Sequence, residues 1–452
     1  MTPSARPPSV DAVLRAAEPG LDGRDRGAVV AAVREVLDDE RTRLASRGAA
    51  RSVSELAETV LAQLDALGAG GLASEPALRP VINATGVLLH TNLGRAAWPA
   101  AAIEAARLAA EAPSMLEMDG TTGRRGRRFP GVEDEVVALT GAEAALITNN
   151  NAAAVALAVG LAGRGGVAVS RGELVEIGGG VRIPDVIRRT GARLVEVGTT
   201  NRTSVADFEA VLAAGKAHLV LRVHPSNFAQ TGFVEAPDAS ELAAVAHRFG
   251  AIVVDDLGSG ALLDTSRFGL AHEPMPAERL ASGADLVTFS GDKLVGGPQA
   301  GIIAGRADLV ERLRRDPLAR AMRPDKVILV ALAATLRLYR AGVAQVAVPV
   351  WRQLAASPDA IKPRAARLAE AAGAAIVAVE STVGGGSLPG QTLPSWGVQL
   401  GGRSPQRLLA KLRSGTPAVI GRIVDDAVVV DLRTVEPADD DRLAGAIRAA
   451  LG

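Results

Sequence analysis

The stretch Asp285 to Gly305, DLVTFSGDKLVGGPQAGIIAG, decides how the rest of the chain is read. An apolar run (Leu286, Val287, Phe289) ends at Ser290, Gly291, Asp292 and Lys293. After a Gly-Gly turn a second apolar run begins, Ala300 to Ala304. The pattern predicts two buried strands with a single Lys held between them. The chain has only five Lys in 452 residues, so a Lys in a small-residue loop beside buried strands is not routine solvation. Desolvation lowers a Lys pKa and leaves the amine usable as a nucleophile. The chemistry best matched to that device is a Schiff base with pyridoxal 5'-phosphate (PLP). On this stretch alone, a surface Lys in a hairpin is an equal alternative.

Working outward, short β-rich runs occur at Ala144 to Thr148, Val167 to Ser170, Arg193 to Val197, His218 to Val223 and Ala251 to Asp255, before Leu286 to Phe289 and Gly301 to Ala304. Seven strands, mostly separated by helical patterns, predict an α/β fold with a largely parallel sheet covered on both faces. The last, closely spaced pair suits the one antiparallel return. Ligands in such folds gather at strand ends. The first strand runs into TNNNAAAVALAVGLA, where Asn149, Asn150 and Asn151 open an Ala-rich helix. Asn caps helices, and the free N–H groups of a helix start bind phosphate. Capping explains one Asn well and three less well. The fifth strand ends in IVVDDLGSG, where a buried carboxylate needs a cation. The protonated pyridine nitrogen of PLP is such a cation. Strand alternation puts Asp255 in register with Val253, which favours Asp255 over Asp256 for that role.

Composition bounds the possibilities. The length predicts two or three domains. Aromatics are 2% of the chain, so the core must be built from Val, Leu, Ile and Ala. Fifty basic residues balance fifty acidic ones, which argues against a generic nucleic-acid coat. Without Cys there is no disulfide framework, thiolate metal site or Cys nucleophile, and no metal is expected. The N-terminus lacks a signal-peptide core and no long apolar run escapes Gly, Pro or charge, so a soluble cytoplasmic protein is expected, with neither membrane nor DNA as partner.

Residues 1–75 read as a helical domain, with a capped start at Ser9 and apolar spacing over Arg26 to Ala45 and Ser52 to Leu67. It ends at the linker-like run Gly68, Ala69, Gly70, Gly71. Nine Arg against twelve acidic residues make it a docking or oligomerisation module; any RNA it recognises would be read by shape and a few Arg contacts. Beyond it, residues 76–325 form the large α/β domain and 326–452 a small α/β domain. Arg95, in a Gly-interrupted loop, and Arg124, Arg125, Arg127 and Arg128, among glycines, are candidate anion ligands or solvated loop residues.

A phosphate-binding helix start, a strand-end Asp, then a Lys about forty residues later is the order of fold-type I PLP enzymes. The phrases INATGVLLHTNLGRA (82–96), VSRGELVEIGGGVRIPDV (169–186), VHPSNF (223–228), VVDDLGSG (253–260), SGDKLVGGPQAGII (290–303) and GGGSLPGQTLPS (384–395) resemble the bacterial selenocysteine synthase family, the L-seryl-tRNA(Sec) selenium transferases. The resemblance spans essentially the whole chain. It implies a PLP-dependent β-elimination from seryl-tRNA(Sec) to aminoacrylyl-tRNA, selenium addition from selenophosphate, and a homodecamer built as a pentamer of dimers. Residue by residue it implies Lys293 as the Schiff-base lysine and Arg95, Arg320 and Arg323 as the donor's phosphate site. It also implies the N-terminal helices as the tRNA grip. His224, Ser226 and Asn227 lie where this fold places groups around the cofactor ring. Glu173 and Glu176 are acid/base candidates by position only. In the small domain, Arg422 and Arg433 invite a carboxylate-binding role, although an aminoacyl ester offers no free carboxylate and a structural role fits better. Two alternatives remain: a PLP lyase acting on a free amino acid or sugar acid, against which the N-terminal domain and the arginines argue, and a non-catalytic tRNA-binding protein, against which Lys293, Asp255 and the Asn run argue.

Overall fold

Apolar side chains at helical spacing close the first segment into three helices, α1 (Val10–Ala17), α2 (Arg26–Ala45) and α3 (Val53–Gly68). The computed structural model describes residues 6–21, 23–46, 48–68, 78–176, 180–226, 228–402 and 404–452; Ala69, Gly70 and Gly71 of the expected linker lie outside them. Ser9 caps α1 by accepting from Ala12 N–H, and Asp25 caps α2 by accepting from Ala28 N–H. Val13, Val33, Val36, Leu37, Leu56 and Val60 fill the space between the helices. These helices belong to one compact unit, residues 1–82 with 416–418; residues 83–415 and 419–452 form the other.

The second unit is built on a seven-stranded sheet of β1 (Ala144–Thr148), β2 (Gly166–Ser170), β3 (Arg193–Val197), β4 (Leu219–Val223), β5 (Ile252–Gly258), β6 (Leu286–Ser290) and β7 (Gly301–Gly305). The spatial order is β1-β7-β6-β5-β4-β2-β3. Only β7 runs antiparallel, to β1 on one side and β6 on the other, as the short connection from β6 requires. One face is covered by helices α4 (Pro130–Thr140) and α6 (Lys326–Arg340), which pack Val132, Val136, Leu332 and Leu336 on Ile147, Val287, Phe289 and Ile302. Across the sheet, α5 (Asn151–Val159) packs Ala154, Leu157 and Ala158 on Val169, Leu221, Val254 and Ile303. Alternation thus sends Val254 and Asp256 to the α5 side, and Val253 and Asp255 to the other.

The C-terminal part carries a four-stranded antiparallel sheet of β8 (Ala375–Thr382), β9 (Thr392–Leu400), β10 (Arg422–Val424) and β11 (Ala427–Asp431), in the order β10-β11-β9-β8. Helices Pro358–Ala372, Pro405–Ser414 and Asp440–Leu451 accompany it. Among the described residues, no helix is long and apolar enough to cross a membrane.

Candidate active site

The loop from β6 to β7 is folded tightly on itself. Gly291 N–H donates to Ala300 O (2.8 Å), Gly297 N–H to Gly291 O (2.9 Å) and Gly296 N–H to Lys293 O (2.9 Å). Gly296 has φ +72°, and a Cβ there would stand 2.2 Å from Val348 Cγ1, so only glycine lets the turn close. Lys293 is therefore held inside, 9% exposed, with Nζ 3.4 Å from Gly386 O. Burial pulls its amine below the ordinary Lys range, with Asp256 opposing that shift.

Asp256 accepts from Asn151 Nδ2 (2.8 Å) and Thr288 Oγ1 (2.8 Å), and its carbonyl accepts from His224 N–H (2.9 Å). Desolvation pushes its carboxyl up, and the two donors pull it back. Asn150 is the cap of α5, its Oδ1 accepting from Ala153 N–H (2.9 Å), while Asn149 N–H donates to Met322 O (2.7 Å). Ser226 is buried; a Cβ added to Gly258 would stand 3.5 Å from Ser226 Oγ and 3.6 Å from Lys293 Nζ, so both polar tips flank one backbone point. Asn227 lies outside the described residues.

Asp255 is not part of this group, contrary to the sequence expectation. Asp255 does share a face with Val253, and that face is turned away from α5. The carboxylate lies 3.6 Å from Arg279 Nε, beside the half-buried pair of Glu173 and Arg222 (2.8 Å). Asp256 occupies the position on the Lys293 side. Glu173, whose carboxyl burial pushes up against the pull of Arg222, also accepts from Val223 N–H (3.2 Å) and braces the strand end. Glu176 pairs with Arg182 at the surface (3.0 Å). The structure does not place either glutamate with Lys293 and Asp256.

The arginines divide between two places. Arg95, at φ +63°, bonds Asp292 Oδ2 (2.7 Å) next to Lys293. Arg320 and Arg323 instead line a cleft of about 400 Å³ with Arg125, Arg127, Arg128 and Arg314, a lining that includes neither Arg95 nor Lys293. There Glu117 is shared by Arg125 (2.8 Å), Arg128 (2.9 Å) and Arg323 (3.2 Å). Glu133 is shared by Arg127 and Arg314. Arg320 is exposed and makes no ion pair among the described residues. Arg422 and Arg433 donate to backbone carbonyls, Arg422 to Glu380 O (2.9 Å) and Arg433 to Gln353 O (2.8 Å), Ala356 O (2.7 Å) and Pro394 O (2.6 Å), which is the structural role.

Sequence reasoning missed Thr288, Glu273 and the Gly386-Ser387 turn. Thr288 left a signal, a polar residue within an apolar strand run, and parallel pairing sets it opposite Asp256. Glu273, 2% exposed, sits in a loop without periodicity and left none.

Buried side-chain atoms without a hydrogen-bond partner include Asn151 Oδ1, Ser259 Oγ, Glu273 Oε1 and Ser387 Oγ. All four residues adjoin the Lys293 loop or its contacts: Asn151 bonds Asp256, Ser259 O accepts from Leu294 N–H (2.9 Å), Ser387 follows Gly386, and Glu273 lies within electrostatic reach of Lys293. Native folds rarely leave such atoms unpaired, and a cluster of them fits a polar group bound there. A buried amine, a facing carboxylate and a helix start suit PLP, and with this strand order they define a fold-type I PLP enzyme.

The family model for L-seryl-tRNA selenium transferase matches residues 81–436. The chain is 44% identical over 442 residues to the L-seryl-tRNA(Sec) selenium transferase of Rhizobium meliloti, covering 94% of this chain and 93% of that protein. It is 45% identical over 477 residues to that of Geobacter sulfurreducens, covering 100% and 99%. The chain belongs to the L-seryl-tRNA selenium transferase family, and PLP is its cofactor. Among solved structures, D-glucosaminate-6-phosphate ammonia-lyase shares the fold, with a TM-score of 0.61 at 23% identity over 84% of this chain and 98% of that one.

Proposed function

We propose that the Lys293 centre converts L-seryl-tRNA(Sec) to L-selenocysteinyl-tRNA(Sec) with selenophosphate. The seryl hydroxyl leaves from Cβ with the Cα proton as water; selenium then bonds to Cβ as a proton returns to Cα, and water attacks the phosphorus, breaking its bond to selenium and releasing phosphate. The observation that carries this reading is the buried Lys293 amine facing Asp256 amid unpaired polar atoms, in a chain of this family. PLP, when bound, supplies the electron sink that makes the seryl Cα proton acidic. Lys293 would anchor the cofactor at rest and, with its amine free, would take that proton. An amine that burial keeps easily neutral suits this task. Asp256, oriented by Asn151 and Thr288, would hold the pyridine nitrogen protonated. The α5 start at Asn149, Asn150 and Asn151 would take the cofactor phosphate, and His224 and Ser226 would border the ring.

In this reading Arg320 and Arg323 bind the donor's phosphate and stabilise its charge, and Arg95 enters the same centre from the Lys293 side. The separation of Arg95 from the Arg320 cleft favours a centre completed by a second copy of the chain, consistent with a homodecamer. We assign residues 1–75 to tRNA docking, 76–325 to cofactor binding and 326–452 to the small domain, in a cytoplasmic protein. Arg26 and Arg34 on α2 are exposed without ion pairs among the described residues and are available to RNA phosphates. The decisive assay is purified protein with seryl-tRNA(Sec) and selenophosphate, read as selenocysteinyl-tRNA formed. Removing residues 1–75 is expected to preserve cofactor binding and abolish discrimination between tRNA(Sec) and tRNA(Ser) in filter retention. A full-length protein that binds neither tRNA yet deaminates a small amino acid would replace this reading with the lyase.

A further inference from the structure

The charges acting on Lys293 come from Asp256 on β5, Arg95 in the loop at residues 84–99, Asp292 in its own loop, and Glu273. Two of these cancel one another, and a third is held by neutral donors. Asp256 accepts from Asn151 and Thr288, and Asp292 and Arg95 neutralise one another at 2.7 Å. Glu273 is different: it is 2% exposed, and Oε1 has no hydrogen-bond donor. Its neighbour is His224, whose Nε2 lies 3.4 Å from Oε1. A carboxylate removed from water and short of donors is costly. The fold nevertheless fixes both partners. Glu273 N–H donates to Thr265 Oγ1 (2.9 Å), and His224 N–H donates to Asp256 O (2.9 Å), so the His224 backbone is tied to that of Asp256.

We propose that Glu273, paired with His224, is a positioning residue of the Lys293 centre whose unneutralised negative charge keeps the nitrogen joining Lys293 to the cofactor protonated. The inference rests on the reading of Lys293 as the cofactor-bearing amine. Asp292 and Arg95 cancel near that nitrogen and Asp256 is committed to its two donors and the pyridine side. Glu273 is the anion left to favour the cationic form, and His224 keeps it in place. Removing the charge must then lower the pH at which the nitrogen loses its proton.

The test uses resting holoenzyme without tRNA or donor, and reads the pH midpoint of the cofactor's visible absorption. Borohydride reduction and peptide mapping of the wild type first locate the cofactor. A label absent from Lys293 overturns the reading of the site and this inference with it. With the label on Lys293, E273Q is expected to lower the midpoint by about one unit and E273D to restore it to within about 0.3. H224Q should lower it by a smaller amount, because the carboxylate loses the neighbour that holds it. An E273Q protein with the wild-type midpoint overturns the proposal while leaving the cofactor site intact. If E273Q fails to fold as coloured protein, H224Q decides: a lowered midpoint supports the pairing and an unchanged one overturns it.

Discussion

Glu40 and Glu273 are hidden from water almost equally, 1% and 2% exposed, yet they are treated in opposite ways. In the N-terminal unit both Glu40 oxygens are occupied, by Arg43 (3.0 and 2.8 Å), Arg51 N–H (3.0 Å) and Arg51 Nε (2.7 Å). Those donors, with the Arg43 side chain leading, hold its carboxyl down at about 2. Beside Lys293, Glu273 Oε1 has no donor and Asn151, Ser259 and Ser387 each keep an unpaired atom. Burial of charge therefore does not separate a structural brace from a working centre; completeness of pairing does.

The sharpest way to break this contrast lies on β5, where two adjacent carboxylates face opposite sides of one sheet. D256N is expected to cut selenocysteinyl-tRNA formation roughly 100-fold or more, with cofactor loosened, because it removes the charge aimed at the Lys293 side. D255N should cost less than about tenfold, its effect appearing in melting temperature through Arg279 and Arg222. The reverse ranking in steady-state rates would restore Asp255 to the site and undo the contrast.

A smaller effect is expected in the arginine cleft. Arg320 has no ion pair among the described residues, whereas Arg323 shares Glu117 with Arg125 and Arg128. R320A should raise the KM for selenophosphate about tenfold or more and leave seryl-tRNA affinity unchanged; R323A should do less, since two arginines remain on Glu117. Equal losses in both variants would mean that prior pairing does not grade these residues.

The smallest effect belongs to Glu40 and is visible only in stability. Its folded carboxyl titrates below the ordinary value of 4.5, at about 2, so its stabilisation is present above 4.5 and is lost as pH falls toward 2. Melting of wild type and E40Q followed from pH 7 to 2 should show the two curves converging over that window, with the cofactor absorption of E40Q normal at neutral pH. A constant gap between the curves would remove Glu40 from the acid response.

The sequence by itself determined the strands, because a short apolar run bounded by turn residues is a local property. Runs such as Ala144–Thr148 and Arg193–Val197 match their observed bounds, and the others shift by at most a few residues, as at β5, where Gly258 extends the run past Asp255. It also determined the Lys between β6 and β7 and the Asn start of α5, since turn residues and caps act within a few positions of themselves. Tertiary structure alone decided what depends on which face meets which helix. Alternation says that Asp255 and Asp256 point apart, but only the packing of α5 on Val254 and Ile303 says which side carries Lys293. The pairing of Arg95 with Asp292, the sharing of Glu117 by Arg323 and two loop arginines, and the approach of Glu273 to His224 join residues far apart in the chain. Such contacts leave no period or spacing to read, because the geometry that makes them exists only once the sheet, its helices and its loops have closed around one another.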